Sequence, residues 1–221
     1  KVPPIEIDDR KVANAGIRLK YRYLDLRRPS MQQRIITRHV AAQAARAYLN
    51  DLGFLEIETP MLLKHTPEGA RDYVVPSRVH PGKFYSLPQS PQLYKQSLMI
   101  GGMDRYYQLA RCLRDEDLRE DRQPEFTQID IEMSFVSEED VISMAEGLIA
   151  TIWKKAAGKQ LKLPFPRMTY HESLDKYGID RPDLRFGLEL VDVTGIVKNS
   201  EFKVFLDTVK NEGIIKCVNA E

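Results

Sequence analysis

Residues 128–135 alternate polar and apolar with the period of a strand: Gln128, Asp130, Glu132 and Ser134 take one side, Ile129, Ile131, Met133 and Phe135 the other. Just upstream, the run from Tyr106 through Glu116 predicts the strand before it, the first of the two along the chain, and the charged stretch 117–125, holding Arg119, Arg122 and Pro124, predicts the loop between them. Arg114 and Glu116 fall on one side at the loop end of the first strand. Any one of these charges alone reads as part of a solvated strand face. Together, a face this acidic with an arginine fork at its end, suited to carboxylate or phosphate oxygens, points to a site.

Helical spacing takes over on either side. Ile36, Val40, Ala44, Tyr48 and Leu52 recur at helical intervals after a capping box of Ser30 and Gln33, and Gly53 supplies the stop. Leu55, Ile57 and Thr59 then alternate against Glu56 and Glu58 in a strand closed by Pro60. Ser90 is placed to cap a further helix with Pro91 in its first position; Gly101 and Gly102 end it, and Gln92 and Lys95 share a face. Ser137 and Asp140 form a capping box ahead of an apolar stripe, Val141, Ala145, Leu148, Ile149, Ile152 and Trp153, which runs toward Gly158 and reads as core. A third box, Thr169 with Glu172, opens a short helix stopped near Gly178, on which His171 reads as a surface residue. Residues 66–73, TPEGARDY, form a glycine-bearing loop, and residues 1–16, proline-bearing and without period, a linker.

Composition narrows the function classes. A chain of 221 residues can bury a sizeable core, and its formal net charge of +1 gives no global basic footprint, so any RNA contact must be local. Cys112 and Cys217 lack metal-ligand spacing, which argues against a disulfide framework and a structural zinc and suits a reducing, cytoplasmic compartment. No apolar run is long enough to span a bilayer, so no membrane partner is expected.

The order RDED, charged loop, QPEFTQIDIE resembles the second signature motif of class II aminoacyl-tRNA synthetases, in the form carried by the aspartyl enzymes. RYLDLRRP, the helix after it and GFLEIETPML resemble the first motif, while TPEGARDY and QSPQLYK resemble the aspartyl family's substrate loop and amino-acid pocket. The resemblance implies an α+β class II catalytic fold, an antiparallel sheet flanked by helices. It divides the chain into a linker over 1–16, the first half of the catalytic domain over 17–185, and the start of an α+β insertion domain over 186–221. It also implies that an anticodon-binding barrel and the third motif lie outside these residues.

By the same resemblance the reaction is activation of L-aspartate by ATP with Mg2+, then transfer to tRNA(Asp), in a homodimer whose interface includes Pro60. Arg114 is the implied catalytic residue, touching the α-phosphate and the substrate carboxylate. The implied ATP contacts are Arg114, Asp115, Glu116, Gln123 and Phe126, the last stacking on adenine. The implied aspartate set is Glu68 for the ammonium, Ser90, Gln92, Lys95 for the β-carboxylate, Arg114 and Asp130; metal ligands are implied only from later sequence. An asparaginyl or lysyl relative is the nearest rival, and a lysine pocket should present acids where Lys95 stands. A non-catalytic paralogue serving as a dimerisation module is the rival of another class, against which the intact site set argues.

Overall fold

The computed structural model describes residues 3–66, 68–118 and 122–219. Two compact units divide the chain, one ending at Pro164 and one beginning at Phe165.

The first unit opens with an irregular arm, then helices α1 (Ala15–Lys20), α2 (Arg22–Asp25) and the long α3 (Pro29–Asp51). Strand β1 (Leu55–Glu56), the hairpin β2 (Val74–Pro76) and β3 (Phe84–Ser86), helix α4 (Gln92–Ile100), strands β4 (Arg105–Leu113) and β5 (Glu125–Met133) and helix α5 (Glu138–Ala157) follow. The two strands read from alternation are thus present, antiparallel and in full register from Arg105↔Met133 to Leu113↔Glu125. The sheet is mixed rather than purely antiparallel, because β1 runs parallel to β4. The chain between them, holding the β2–β3 hairpin and α4, is long enough for the crossover that a parallel pair needs.

Beneath the hairpin, Ala45, Leu49, Phe54, Tyr107, Met144 and Leu148 form the core, with Tyr48, Ile131, Met133 and Ile152 packed on it. The expected α3 stripe is therefore rotated: Ala45 and Leu49 are fully buried, whereas Ile36 and Leu52 are exposed. Small residues face inward because α3 and α5 pack closely. Tyr48 Oη donates to the Met144 carbonyl at 3.2 Å, and a Cβ on Gly147 would stand 2.0 Å from that hydroxyl. On α5 the burial falls on Met144 and Leu148, and Val141, Ile149 and Trp153 of the expected core stripe are exposed.

Capping divides the helices. Ser137 and Asp140 make their reciprocal box, and α5 ends at left-handed Gly158. The Ser30 box does not form: Arg28 is the N-cap residue, Pro29 opens α3, and Ser30 N donates to Asp9 at 2.9 Å. A carboxylate from the expected linker thus does the capping. That arm is docked, with Ile5 buried. The Ser90 cap does not form either, since Pro91 takes the cap position and α4 begins at Gln92. Gly53 stops α3 with φ +77°, a backbone that side-chain-bearing residues rarely adopt.

The second unit contains α6 (Tyr170–Tyr177), β6 (Leu190–Asp192), α7 (Thr194–Val197), α8 (Lys203–Lys210) and β7 (Lys216–Val218), with β6 and β7 antiparallel. Thr169 caps α6 by accepting from Glu172 N at 3.1 Å, while the Glu172 carboxylate turns to Lys176 at 2.9 Å. His171 is exposed. Lys216 Nζ donates to the Asp175 carbonyl at 2.7 Å and Tyr177 Oη to Glu189 at 3.0 Å. These contacts tie α6 to the β6–β7 hairpin, so this compact unit starts before residue 186, the expected start of the insertion.

Candidate active site on the hairpin

Pairing of β4 with β5 sets Gln108 opposite Asp130, Tyr106 opposite Glu132 and Cys112 opposite Phe126. Side chains two apart share a face, so these polar residues look away from the core cluster that holds Tyr107 and Ile131. This polar face is itself covered: Tyr106, Gln108, Cys112 and Asp130 are all buried. The cover comes from α4, whose Lys95 reaches Asp130 Oδ1 at 3.0 Å and Glu132 Oε2 at 3.2 Å.

Burial pushes the Lys95 ammonium toward neutrality, but Asp130 and Glu132 outweigh it and its pKa is raised. Lys95 is a cation held between two acids. Burial pushes the Asp130 carboxyl up, helped by Glu132 and Glu68 and opposed by Lys95. Asp130 Oδ2 is buried with no hydrogen-bond partner. Such an orphan costs about 1–3 kcal/mol unless something outside the protein satisfies it.

Glu68 stands close enough to act electrostatically on Asp130. Thr66 Oγ1 donates to its Oε1 at 3.1 Å and Ser90 Oγ to its Oε2 at 2.8 Å. The Ser90 hydroxyl is thus spent on the loop carboxylate of Glu68 rather than a helix end. Glu68 and Ser90 line a small pocket of about 190 Å³ with Thr66, Leu93, Tyr94 and Ser97. Gln92, half-buried, opens α4 one turn before Lys95.

At the loop end lies an open cleft of about 360 Å³, lined by Arg114, Glu116, Asp117, Gln123, Pro124 and Phe126 among others. Arg114 N donates to the Pro124 carbonyl at 2.8 Å, and its guanidinium carbon sits 5.2 Å from the centre of the Phe126 ring. Among the described residues Arg114 makes no ion pair, which leaves its fork for an anion. Asp115 is exposed and pairs through its backbone, its N–H donating to the Arg71 carbonyl at 3.0 Å. Arg119 and Pro67 lie outside the described residues.

One floor residue ties the parts together. The Cys112 thiol is pushed up to about 11 by burial and feels the charges of Arg114, Asp130, Glu68 and Lys95. Those four side chains therefore lie within electrostatic reach of one thiol, and the thiol itself is too basic to serve as a nucleophile near neutrality. Reasoning from sequence named all four and missed the second layer. Gln89, His65 and Asp72 had no periodicity to announce them, although Gln89 directly precedes Ser90.

Among the described residues no group of three or more His, Cys, Asp or Glu is placed to hold a metal, and no helix is long and apolar enough to cross a membrane. The family model for class II tRNA synthetases of the D, K and N group matches residues 14–212, and the chain belongs to that family. It has the family's mixed α/β content, with a small sheet that is antiparallel in part.

Its relatives within the class include aspartate–tRNA ligases. The chain is 61% identical over its whole length to the aspartate–tRNA(Asp/Asn) ligase of Caldanaerobacter subterraneus subsp. tengcongensis, covering 37% of that protein. It is 60% identical over its whole length to the aspartate–tRNA ligase of Geobacillus kaustophilus, covering 38%. It is also 60% identical over 218 residues to the aspartate–tRNA(Asp/Asn) ligase of Persephonella marina, covering 36%. The chain thus spans a little over a third of the length of the curated relatives it matches.

Proposed function

We propose that these residues form the amino-acid and ATP half-sites of an aspartate–tRNA ligase. The carrying observation is Lys95, a buried lysine kept charged by Asp130 and Glu132 in a site whose Asp130 Oδ2 has no partner. An ammonium has three donors, and two acids leave one for a substrate carboxylate. The amino acid this suits has a cationic end for Glu68 and the open Asp130 oxygen, and a second carboxylate for Lys95. Aspartate has both.

ATP enters the cleft beside Arg114, with adenine against Phe126 and Glu116 and Gln123 holding the nucleotide. The aspartate α-carboxylate attacks the α-phosphorus, giving aspartyl-adenylate and releasing pyrophosphate; the 3'-terminal ribose of tRNA(Asp) then takes the aspartyl group. Arg114 lies where negative charge grows in the first step, so it acts by positioning and by charge stabilisation. Magnesium arriving with ATP supplies further charge neutralisation on the phosphates. Oxygen ligands from one or two carboxylates suffice for that ion.

The reading extends to a homodimer. Ile35 and Ile36 on α3, and Met61 and Leu62 beside Pro60, are exposed, and a two-fold contact would cover them. The relatives' names agree on aspartate and differ in tRNA range, so charging of tRNA(Asp) and tRNA(Asn) by a full-length enzyme carrying this sequence separates those two forms. A cytoplasmic setting and an insertion domain beginning in the second unit belong to the same reading.

The test is aspartate-dependent ATP–pyrophosphate exchange by that full-length enzyme, with asparagine as competitor substrate. Exchange with aspartate, and a preference over asparagine that Lys95→Ala lowers by on the order of 100-fold, is expected. An unchanged preference in Lys95→Ala would refute the role of the lysine.

A further inference from the structure

Behind the substrate pocket lies a second polar cluster that none of the proposed contacts uses. Asp72 is nearly buried, with 6% of its side chain exposed, and three donors converge on its carboxylate. Gln89 Nε2 donates to Oδ1, Ser86 Oγ donates to Oδ2 at 2.8 Å, and His65 Nδ1 meets the same Oδ2 at 2.6 Å from the solvent side. Gln89, 2% exposed, also grips the loop backbone: its Nε2 donates to the Ala70 carbonyl at 2.9 Å and its Oε1 accepts from Ala70 N at 3.3 Å. The neighbouring Ser90 holds Glu68. One dipeptide, Gln89–Ser90, therefore carries both the loop's backbone anchor and the partner of its working carboxylate.

The loop cannot set itself. Gly69 sits at φ +93°, a conformation open to many alternatives in a free chain; apart from the Asp72–Gln89 contacts and the bonds to the Glu68 carboxylate, the described part of the segment is tied to the rest of the unit by two backbone bonds, Asp115 N to the Arg71 carbonyl at 3.0 Å and Leu87 N to the Tyr73 carbonyl at 2.9 Å. A carboxylate at Asp72 rather than an apolar side chain is informative. Burial works against its charge, yet Gln89, His65 and Ser86 hold its pKa below the ordinary carboxylate value.

We propose that Asp72 and Gln89 are positioning residues for substrate: a buried clamp that sets the loop so that the Glu68 carboxylate meets the amino-acid ammonium. The inference rests on the reading of Glu68 as the ammonium ligand. A shift of about 1 Å in a positioning group costs on the order of 100-fold in rate or binding. Because the clamp touches the amino-acid side only, its loss should appear in aspartate KM and not in ATP KM.

The experiment uses a full-length enzyme carrying this sequence. In Asp72→Ala, aspartate KM should rise by roughly tenfold to hundredfold while ATP KM stays within about threefold. Asp72→Asn, which keeps an oxygen for Gln89, should recover much of the loss. In a Glu68→Gln background the same Asp72→Ala change should alter aspartate KM by less than about threefold, since both lesions act through one contact. Independent multiplication of the two effects, or an equal rise in ATP KM, overturns the proposal.

Exchange at the Ala70 amide tests the clamp without reference to activity. Gln89→Ala should speed hydrogen exchange there by on the order of tenfold or more, and unchanged protection overturns the clamp whatever the enzyme does. If the parent enzyme shows no aspartate-dependent exchange, the functional reading falls and takes the positioning role with it. Ala70 protection would then still report whether the clamp itself exists.

Discussion

Two buried carboxylates of the first unit, Asp25 among three arginines and Asp130 beside one lysine, are finished differently. Asp25 is fully buried, and both its oxygens are occupied: Arg18 and Arg28 reach Oδ1 at 3.0 and 2.9 Å, and Arg22 reaches Oδ2 at 2.6 Å. Arg28 continues to Asp9 at 3.0 Å, so the cluster also fastens the N-terminal arm to the start of α3. Its pKa is lowered, chiefly by Arg18. Asp130 has Lys95 on one oxygen and nothing on the other, and burial pushes its carboxyl the opposite way. A network whose every polar atom is satisfied holds the scaffold; one left a partner short has room for a ligand.

The comparison is sharpened first by Asp25→Ala, which leaves the 4%-exposed Arg28 with Asp9 alone and should give the largest loss of stability, a fall in Tm on the order of 10 °C. Aspartate KM, measured below the transition, should not move with it. Next comes Asp130→Asn in a full-length enzyme, where aspartate KM should rise on the order of 100-fold with Tm little changed, since the site gives up charge pairing and keeps its shape. Kinetics and calorimetry on the same samples would break the comparison if either variant moved both readouts.

Gly147→Ala serves as a packing control at the α3–α5 contact, where Gly147 meets Tyr48 of the core. Its Cβ would meet Tyr48 Oη at 2.0 Å, and overpacking of this kind costs about 1–3 kcal/mol. Melting should shift without any change in aspartate or ATP KM.

The smallest expected effect is in pH dependence, where the two acids have opposite signs. Asp25 has a folded pKa below its ordinary 3.8, so the stability it contributes is complete above that value and is lost as pH falls through the lowered one. Asp25→Asn should therefore flatten the acid limb of a Tm-against-pH profile. Asp130 has a folded pKa above 3.8, so the folded form holds its proton longer and stability declines as pH rises from 3.8 through the raised value. Asp130→Asn should remove that decline, and circular dichroism melts from about pH 7 down to about pH 2 would cover both limbs.

Much of this was legible in the chain because it is local. The period-two alternation of residues 128–135 placed Asp130 and Glu132 on one face, and the Ser137–Asp140 box and the glycines after the helices marked real ends. What misled were side chains claimed by distant partners. Ser30 and Ser90 both have the spacing of N-caps, yet Asp9 and Glu68 take their hydroxyls instead. Periodicity also favoured large residues as the core face of α3, whereas the close approach of α5 selects Ala45 and leaves Ile36 in solvent. Asp72 and Gln89 lie inside the TPEGARDY and QSPQLYK segments, yet no role was legible for either, for the same reason: their meaning is a contact across 17 residues of chain.

The measurement that bears most directly on the account is a paired one, Asp25→Asn and Asp130→Asn in a full-length enzyme, each assayed for Tm and for aspartate KM. Asp25→Asn should lower Tm and leave KM unmoved, and Asp130→Asn should raise KM and leave Tm nearly unmoved. The reverse assignment, or an aspartate KM indifferent to Asp130, would contradict the claim that the unfinished carboxylate marks the substrate site.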